Sequence, residues 1–303
     1  MKFRVGLLAI LSLILILRGS DAFAQDESKR SPAVTTGTLS PLKMRSIGPA
    51  LMSGRIADIA IDAKQPNTWY VAAGSGNLWK TINAGTTWKP IFERYGSYSI
   101  GCIALDPRDR DTLWVGTGEN VGGRHVGYGD GIYVSHDGGQ TFVNKGLKNS
   151  EHLSKIIIHP EDSQTLFVAS QGPLWSSGGE RGLYKSTDGG ATWRAVLTRG
   201  PWTGVTDVVM DPKNPNILFA ATHQRHRTVY GLINGGPESG IHKSVDGGET
   251  WVELKSGLPA ADKGKMSIAI SPQKSNVVYA AIELAGPTGG VWRSENGGQS
   301  WTK

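Results

Sequence analysis

The sequence predicts an all-β fold, a β-propeller of four-stranded antiparallel blades, with about five blades present and the last one incomplete. Three observations predict it. A Gly-rich turn with a central Asp or Asn recurs every 50 to 58 residues along the 303-residue chain. Apolar runs that end in Pro- or Asp-rich turns keep the same period. No apolar pattern of helical period and useful length occurs between them. Repeats of this length, each with several short strands, are typical of propellers.

The third repeat shows the four strands that we assign to each blade, A to D in chain order. Strand A with its Pro-containing turn is "KIIIHPEDSQ" (Lys155–Gln164), and strand B follows as "TLFVASQ" (Thr165–Gln171). Strand C is "GLYKS" (Gly182–Ser186), and strand D begins in "TWRAVL" (Thr192–Leu197). The runs are rich in Ile, Val, Tyr and Trp, as strands are. Strand A is nearly all apolar, which indicates that both faces of a blade are covered.

The turn between strands C and D reads "STDGGATW" (Ser186–Trp193) in the third repeat. Its Asp carboxylate can accept hydrogen bonds from turn amides and from the following Thr or Ser. Gly supplies positive φ, and the Trp ring is expected to pack between blades. The alternating oxygen ligands and distal Glu of a calcium-binding EF-hand loop are absent. We therefore assign a structural role to the five turn centres, Asn83, Asp137, Asp188, Asp246 and Asn296.

The N-terminus has the layout of a secretory signal peptide. Lys2 and Arg4 precede the apolar run Val5–Leu17, and small residues follow at Ala22 and Ala24. The run is shorter than the about 20 residues that a membrane-spanning helix needs, which disfavours the alternative of an uncleaved anchor.

Cleavage is expected after Ala24. The predicted organisation is then a signal peptide over 1–24, a flexible linker over 25–43 and the propeller over 44–303. The mature chain would be secreted or periplasmic, without a membrane span.

The composition disfavours several kinds of partner. The formal net charge is +6, but Lys and Arg are scattered and not interleaved with aromatic residues, so no nucleic-acid partner is predicted. Cys102 is the single cysteine, lies in the apolar run "IGCIAL", and is expected to be a buried small side chain rather than a nucleophile. His223 and His226 are three residues apart, but no third ligand is patterned, and neither a metal nor a cofactor is predicted.

The turn pattern Ser-x-Asp-x-Gly-x-Thr-Trp resembles the Asp-box, or BNR repeat, of sialidases, family 74 xyloglucanases and the Vps10 domain of sortilins. The stretch "MRSIGPALMSGRIADIAID" (Met44–Asp62), followed by "NTWYVAAGSGNLWKT" (Asn67–Thr81), is similar to bacterial secreted proteins of the sortilin/Vps10-like group, which are often labelled glycosyl hydrolases. The resemblance covers Met44 to the end of the chain. It is specific for the fold and only weakly informative about activity.

The topology of a propeller places the A–B and C–D turns on one face and the B–C and D–A connections on the other, the usual ligand face. The B–C segments Thr117–Gly131, Ser170–Gly182 and Thr222–Gly240 vary and carry aromatic and charged residues. Variation on one face of a regular scaffold is where function is expected. The predicted ligand-binding residues are Arg124, His125, Tyr128, Trp175, His223, Arg225, Arg227 and Tyr230. His226 is a further candidate, and the alternative for each is a solvated loop side chain.

Asp58 and Asp207 lie four residues before the A–B turns of different blades and are expected at the channel mouth. The equivalent positions of the other repeats hold Cys102, Lys155 and Ser267. A glycoside hydrolase needs two carboxylates that flank the scissile bond, so Asp58, Asp207 and Glu119 are the catalytic candidates if the chain is an enzyme. The competing interpretation of the two aspartates is a structural cap on the D–A connection.

Comparison with the enzymes that the repeat resembles disfavours catalysis. The resemblance to family 74 implies a catalytic Asp near the end of strand B in the first blade, but the corresponding "AAGSGN" (Ala72–Asn77) has no carboxylate. The Arg-Ile-Pro motif of sialidases is matched only by Arg55–Ile56, which Ala57 follows. The first hypothesis is therefore an exported binding module for a peptide, a protein or a glycan. The alternatives are a glycoside hydrolase and an assembly scaffold.

The last repeat stops early, because Lys303 falls two residues after Trp301. We favour a fragment of a longer product. The alternative is that "LKMRSIG" (Leu42–Gly48) lies beside blade five as its outer strand and closes a five-bladed ring.

Overall fold

Five antiparallel sheets follow one another along the chain in the computed structural model, which describes residues 54–303. These residues belong to one compact unit. The propeller-type all-β prediction is confirmed, because each sheet contains the strands of one sequence repeat in chain order. The predicted signal peptide, the linker and Leu42–Gly48 lie outside the described residues, and what we expect of them stays a prediction.

The first three blades are complete four-stranded sheets. Blade one comprises β1 (Ile56–Ile61), β2 (Trp69–Ala73), β3 (Asn77–Thr81) and β4 (Lys89–Pro90). Blade two comprises β5 (Ile100–Leu105), β6 (Leu113–Thr117), β7 (Ile132–Ser135) and β8 (Val143–Asn144). Blade three comprises β9 (Leu153–His159), β10 (Asp162–Ser170), β11 (Gly182–Ser186) and β12 (Arg194–Leu197).

The last two blades depart from this plan. Blade four comprises β13 (Thr203–Asp211), β14 (Asn214–Arg227), β15 (Leu232–Asn234), β16 (Gly240–Ser244) and β17 (Val252–Leu254). Blade five comprises β18 (Lys263–Ile270), β19 (Val278–Leu284), a 3₁₀ turn (Gly286–Thr288) and β20 (Gly290–Ser294). Its fourth strand is reduced to a bridge in which Thr302 exchanges two backbone hydrogen bonds with Arg293.

Strand A carries a bulge at the same place in successive blades. The pairing register shifts between Ile56 and Asp58 in blade one and between Val205 and Asp207 in blade four. The bulged residue reaches the next blade: the hydroxyl of Thr206 donates to the carbonyl of Met266 at 3.2 Å. The bulge therefore turns side chains of the first strand towards the neighbouring blade.

The core consists of apolar clusters between successive blades. Strand B holds a large, buried aromatic ring at the same position in the first four blades: Tyr70, Trp114, Phe167 and Phe219. The C–D turn of the next blade lies against each ring. A Cβ added at Gly190 would be 2.7 Å from Trp114, and one at Gly298 would be 2.8 Å from Phe219. Only glycine fits there, because the turn backbone contacts the ring directly.

The C–D turns are closed by the side chain of their central residue. Oδ1 of Asp188 accepts the hydroxyl of Ser186 at 2.7 Å and the amide of Thr192 at 2.9 Å, and Oδ2 accepts the Thr192 hydroxyl. These hydrogen bonds, led by that of the Thr192 hydroxyl, lower the pKa of Asp188 to about 2. Asn296 closes its turn in the same way, since its side-chain nitrogen Nδ2 donates to the hydroxyl of Ser300 at 2.9 Å.

Two local features differ from the sequence interpretation. The segment "HQRHR" (His223–Arg227) is predicted as part of the B–C loop Thr222–Gly240, but it continues β14 to Arg227 and pairs with β15 as a hairpin. The Trp after the turn does not always pack between blades. Trp193 donates its ring N–H to the carbonyl of Lys145 in blade two, whereas Trp88 is 39% exposed. Blade one has no earlier blade among the described residues to receive that ring.

Candidate ligand-binding face

The hydrogen bonds of the turns define the two faces of the array. The amide of Gly138 in the C–D turn of blade two donates to the carbonyl of Asp111 in its A–B turn at 2.8 Å. Gly247 and Asn216 are joined in the same way in blade four at 2.9 Å. The A–B and C–D turns therefore share one face. The B–C and D–A connections form the other, which we call the loop face.

The B–C segment of blade two extends towards the later blades on the loop face. The carbonyl of Asn120 accepts the side-chain amide of Gln171 from blade three at 3.3 Å. The same carbonyl accepts the ammonium of Lys265 from blade five at 2.8 Å. Burial, and then the charge of Arg225, lower the pKa of Lys265. One backbone carbonyl thus links three blades.

Two arginines of blade four hold the same segment. Arg225 donates to the carbonyl of Val121 at 3.2 Å and to that of Gly172 in blade three, also at 3.2 Å. Arg227 donates to the carbonyl of Gly122 from two guanidinium nitrogens, the Nε bond being 3.1 Å. Charge-assisted bonds to carbonyls position a loop more firmly than neutral ones do.

Arg227 is the point where the three variable B–C segments meet. Its side chain bonds Gly122 of blade two, and its backbone amide donates to the carbonyl of Leu174 in blade three at 3.0 Å. The residue itself ends β14 of blade four. Side chains next to these contacts, such as Trp175, are therefore brought to one region of the loop face.

The predicted ligand-binding residues fall into three groups by exposure. Arg124, His125, Tyr128 and Tyr230 are exposed, Trp175 and Arg227 are half-buried, and His223 and Arg225 are buried. The exposed group can meet a ligand without rearrangement. The buried pair is shielded from solvent, and Arg225 donates to the loop carbonyls of Val121 and Gly172.

Buried histidines accompany these arginines. His152 and His223 have no hydrogen-bond partner on either ring nitrogen within the described part of the chain. Burial first, and then the charge of Arg225, lower the pKa of each to about 3. Both rings are therefore neutral at physiological pH, which suits their place beside cationic side chains.

Two residues of the loop face, Trp202 and Arg181, were not predicted from the sequence. Trp202 lies on the D–A connection before blade four and stacks on His226, with ring centroids 3.8 Å apart. Arg181 donates to the carbonyls of Gln171 and Gly178 at 2.8 and 2.7 Å and so shapes the loop of blade three. Its position directly before strand C carries no motif, so no local signal could have found this role.

The aspartates of the catalytic alternative make contacts between blades. Oδ2 of Asp58 accepts the amide of Ile103 in blade two at 3.1 Å, and Oδ2 of Asp207 accepts the amide of Ile268 in blade five at 2.8 Å. Each carboxylate therefore bonds the first strand of the following blade, which differs from the expected cap on the D–A connection. Burial raises the pKa of Asp207.

Glu119 is buried, and one of its oxygens pairs with the guanidinium of Arg55. Its other oxygen, Oε2, lacks a partner among the described residues. Cys102, expected to be buried, is 1% exposed, and burial raises the pKa of its thiol. No group of three His, Cys, Asp or Glu side chains in residues 54–303 is arranged to hold a metal ion. The same residues contain no helix that is long and apolar enough to cross a membrane.

Residues 130–238 match the family described as Sortilin-Vps10, "Sortilin, neurotensin receptor 3". Curated relatives are enzymes named xyloglucanase. The xyloglucanase of Paenibacillus sp. is 23% identical, and the match covers 89% of this chain and 28% of that enzyme. The xyloglucanase of Hypocrea jecorina is 27% identical, and the match covers 66% of this chain and 26% of that enzyme. The chain thus spans about a quarter of the length of these relatives.

Solved structures agree with the fold. An ancestral GH74 enzyme superposes with a TM-score of 0.64 at 19% identity, over 84% of this chain and 32% of that protein. The GH74 enzyme of Niastella koreensis superposes with a TM-score of 0.61 at 20% identity, over 82% of this chain and 38% of that protein. The similarity shows that the blades are of the propeller type found in GH74 enzymes.

Proposed function

We propose that the chain is an exported binding module that engages a glycan on its loop face, without cleaving it. The observation that carries the proposal is the meeting of three variable B–C segments at Arg227. Tyr128 and Tyr230, 53% and 96% exposed, come from two of these segments, and Trp175 comes from the third. Aromatic rings offer apolar faces to sugar rings, and the nearby Arg124 can donate hydrogen bonds to ligand oxygens.

A glycan is favoured over a peptide by the curated relatives, which are named for action on xyloglucan. A peptide or protein ligand is the second candidate, because the segment matched by the Sortilin-Vps10 family includes the loops of blades three and four. Both ligand classes would use the same exposed aromatic residues.

Binding without catalysis is favoured by the positions of the candidate carboxylates. Asp58 and Asp207 each accept a backbone amide of the next blade, and Glu119 pairs with Arg55. A catalytic carboxylate must reach the glycosidic oxygen or the anomeric carbon. Groups engaged in contacts between blades would have to give up those contacts first.

Affinity electrophoresis in gels with and without xyloglucan tests the proposal. We expect the chain to be retarded by xyloglucan and to release no reducing sugar from it. Tyr230→Ala and Trp175→Ala should each reduce the retardation. The binding free energy for xyloglucan should fall by about 1–3 kcal/mol if the ring is a hot spot. Lys213→Ala, on the opposite face, is the matched control. Retardation lost in Lys213→Ala and kept in both aromatic variants would overturn the choice of face.

Glycoside hydrolysis remains the alternative because of one property of Asp207. Its raised pKa would keep the carboxyl protonated to higher pH, as a general acid requires. Release of reducing sugar that Asp207→Asn and Asp58→Asn abolish, while retardation is unchanged, would establish this activity and refute the purely binding role.

A further inference from the structure

One half-buried carboxylate of the loop face has no side-chain donor. Glu151 lies on the connection between β8 and β9, and its side chain is 34% exposed. No side chain of residues 54–303 donates a hydrogen bond to it, and the nearest basic nitrogen among them, Nε2 of His152, is 4.0 Å away. By contrast, the half-buried carboxylate of Glu180 on the same face accepts the amide of Asn149 at 2.7 Å. The oxygens of Glu151 are therefore available to a ligand.

The backbone at Glu151 is held in an unusual conformation by blade two. Its φ is 56°, in the left-handed region that residues other than glycine rarely adopt. The carbonyl of Glu151 accepts the amide of Gly129 at 2.7 Å, and a Cβ added at Gly118 would be 1.8 Å from that carbonyl oxygen. The glycines of the B–C segment thus let the connection approach. Backbone strain persists only where neighbouring contacts enforce it, and such positions cluster at binding sites.

The exposed ring of Tyr128 lies in the same region. Tyr128 precedes Gly129, and its ring centre is 5.8 Å from that of His152, the residue after Glu151. Two contacts therefore join residues 128–129 to residues 151–152. Tyr128 is 53% exposed, so its ring and the Glu151 carboxylate can meet the same ligand. An aromatic face beside a hydrogen-bond acceptor suits a sugar ring, which has an apolar face and hydroxyl donors at its edge.

Cations surround the Glu151 carboxylate without pairing with it. Burial raises the pKa of Glu151, and the charges of Arg181 and Arg225 and the amide of Leu174 lower it in part. The guanidinium nitrogens of both arginines donate to loop carbonyls instead of to this carboxylate. Burial lowers the pKa of Arg181 to about 10 and that of Arg225 to about 9, so both stay charged at neutral pH. Two fixed positive charges favour the ionised carboxylate, which is the stronger acceptor.

We propose that Glu151 is a ligand-binding residue of the loop face, whose carboxylate accepts hydrogen bonds from hydroxyls of a sugar ring that packs on Tyr128. The inference rests on the proposed glycan-binding function and adds to it a polar contact that orients the sugar. Aromatic rings supply affinity with little direction, whereas an acceptor in a fixed position distinguishes sugars by their hydroxyls. Glu151 therefore contributes specificity. Asp58 and Asp207 differ from it because their carboxylates are engaged between blades.

Affinity electrophoresis of the folded chain in xyloglucan gels tests the proposal. Glu151→Gln keeps the shape of the side chain and loses its charge, so the affinity should fall about tenfold. Glu180→Gln is the matched control and should bind like the wild type, because that carboxylate is already engaged by Asn149. Equal retardation of Glu151→Gln and the wild type would overturn this inference alone. A wild type that xyloglucan does not retard would refute the glycan-binding function and this inference with it.

The pH dependence of retardation separates direct contact from a structural role. Protonation removes the charge of the acceptor, so wild-type affinity should fall as the pH is lowered through the raised pKa of Glu151, above the ordinary value of 4.5. Burial lowers the pKa of His152 to about 3, so this ring stays neutral in that range, while Arg181 and Arg225 stay charged. The affinity of Glu151→Gln should not change over the same range, and circular dichroism should show both chains folded throughout. A Glu151→Gln chain that keeps the wild-type pH dependence would assign it to another group and overturn the inference.

Discussion

The rings of Trp202 and His226 stack with their centroids 3.8 Å apart and their planes 28° from parallel. Trp202 belongs to the connection between blades three and four, and His226 to the extended end of β14. The guanidinium of Arg181 lies 5.8 Å from the centre of the Trp202 ring. An aromatic platform that joins a connection to a strand is thus part of the loop face, and both rings are half-buried.

Trp202→Ala should weaken the affinity for xyloglucan, measured by retardation in the gel, about tenfold, which corresponds to about 1.4 kcal/mol of binding free energy. The reason is the loss of a flat, half-buried aromatic surface on the loop face. His226→Phe keeps a ring for stacking and should bind like the wild type. Equal retardation of the Trp202→Ala chain and the wild type would show that this platform does not contact the glycan.

Gly190→Ala should destabilise the fold more than Gly178→Ala does. Both glycines have positive φ, 75° and 74°, so both substitutions strain the backbone alike. A Cβ at Gly190 would meet Trp114 at 2.7 Å, whereas one at Gly178 has no neighbour within 4 Å. Steric crowding of this kind typically costs about 1–3 kcal/mol.

The measurement for this pair is chemical denaturation of both variants and the wild type. The difference in free energy of unfolding between the variants isolates the contact from the backbone strain. Equal losses of stability would mean that the turn and the ring can move apart without cost.

Asp188→Ala should lower the melting temperature at neutral pH, and Asp188→Asn should lower it less. An Asn can keep the turn closed, as Asn296 does with Ser300. The folded pKa of Asp188 is about 2, below the ordinary value of 3.8. Its charge therefore stabilises the fold above the unfolded pKa, and this contribution is lost as pH falls through the folded pKa.

Melting temperatures of the wild type and Asp188→Asn across the acid range check that sign. The gap between the two should be largest above about pH 5 and should narrow towards pH 2. A gap that widened on acidification would contradict the assignment of a lowered pKa.

Arg225→Met should loosen the B–C segment of blade two. The methionine fills much of the buried space but leaves the carbonyls of Val121 and Gly172 without their donor. An unpaired buried carbonyl costs about 1–3 kcal/mol, which local opening of the loop would relieve. Hydrogen exchange should rise in residues 119–124 and stay unchanged in the C–D turn of blade one, which Arg225 does not contact.

Much of the scaffold was predictable because its signals are local. A strand of period two, a Pro-containing turn and an Asp-Gly-Gly turn each specify the backbone within a few residues, and repetition identifies the blade. The hydrogen bonds at Asp188 follow from the same short motif, whereas the close contact of Gly190 with Trp114 joins two blades and appears only in the structure. The loop face was likewise predictable as a face, because alternation of the connections follows from the blade topology.

The arrangement of the loop face depends on contacts between distant parts of the chain. Arg225 and Val121 are 104 residues apart, and Lys265 and Asn120 are 145 apart. No local pattern encodes such pairs, because each side chain would be equally acceptable in solvent. The extension of β14 through "HQRHR" has the same origin, since pairing with β15 overrides the polar composition of the segment.

The amino-acid order alone therefore specifies the repeat, the strands of each blade and the turns that close them, since these depend on backbone geometry over a few residues. Only the folded structure shows that Asp58 and Asp207 bond the next blade, and that Arg225 is buried and donates to loop carbonyls. The physical reason is that burial and hydrogen-bond partners are properties of the assembled blades. They appear only when residues far apart in the chain meet.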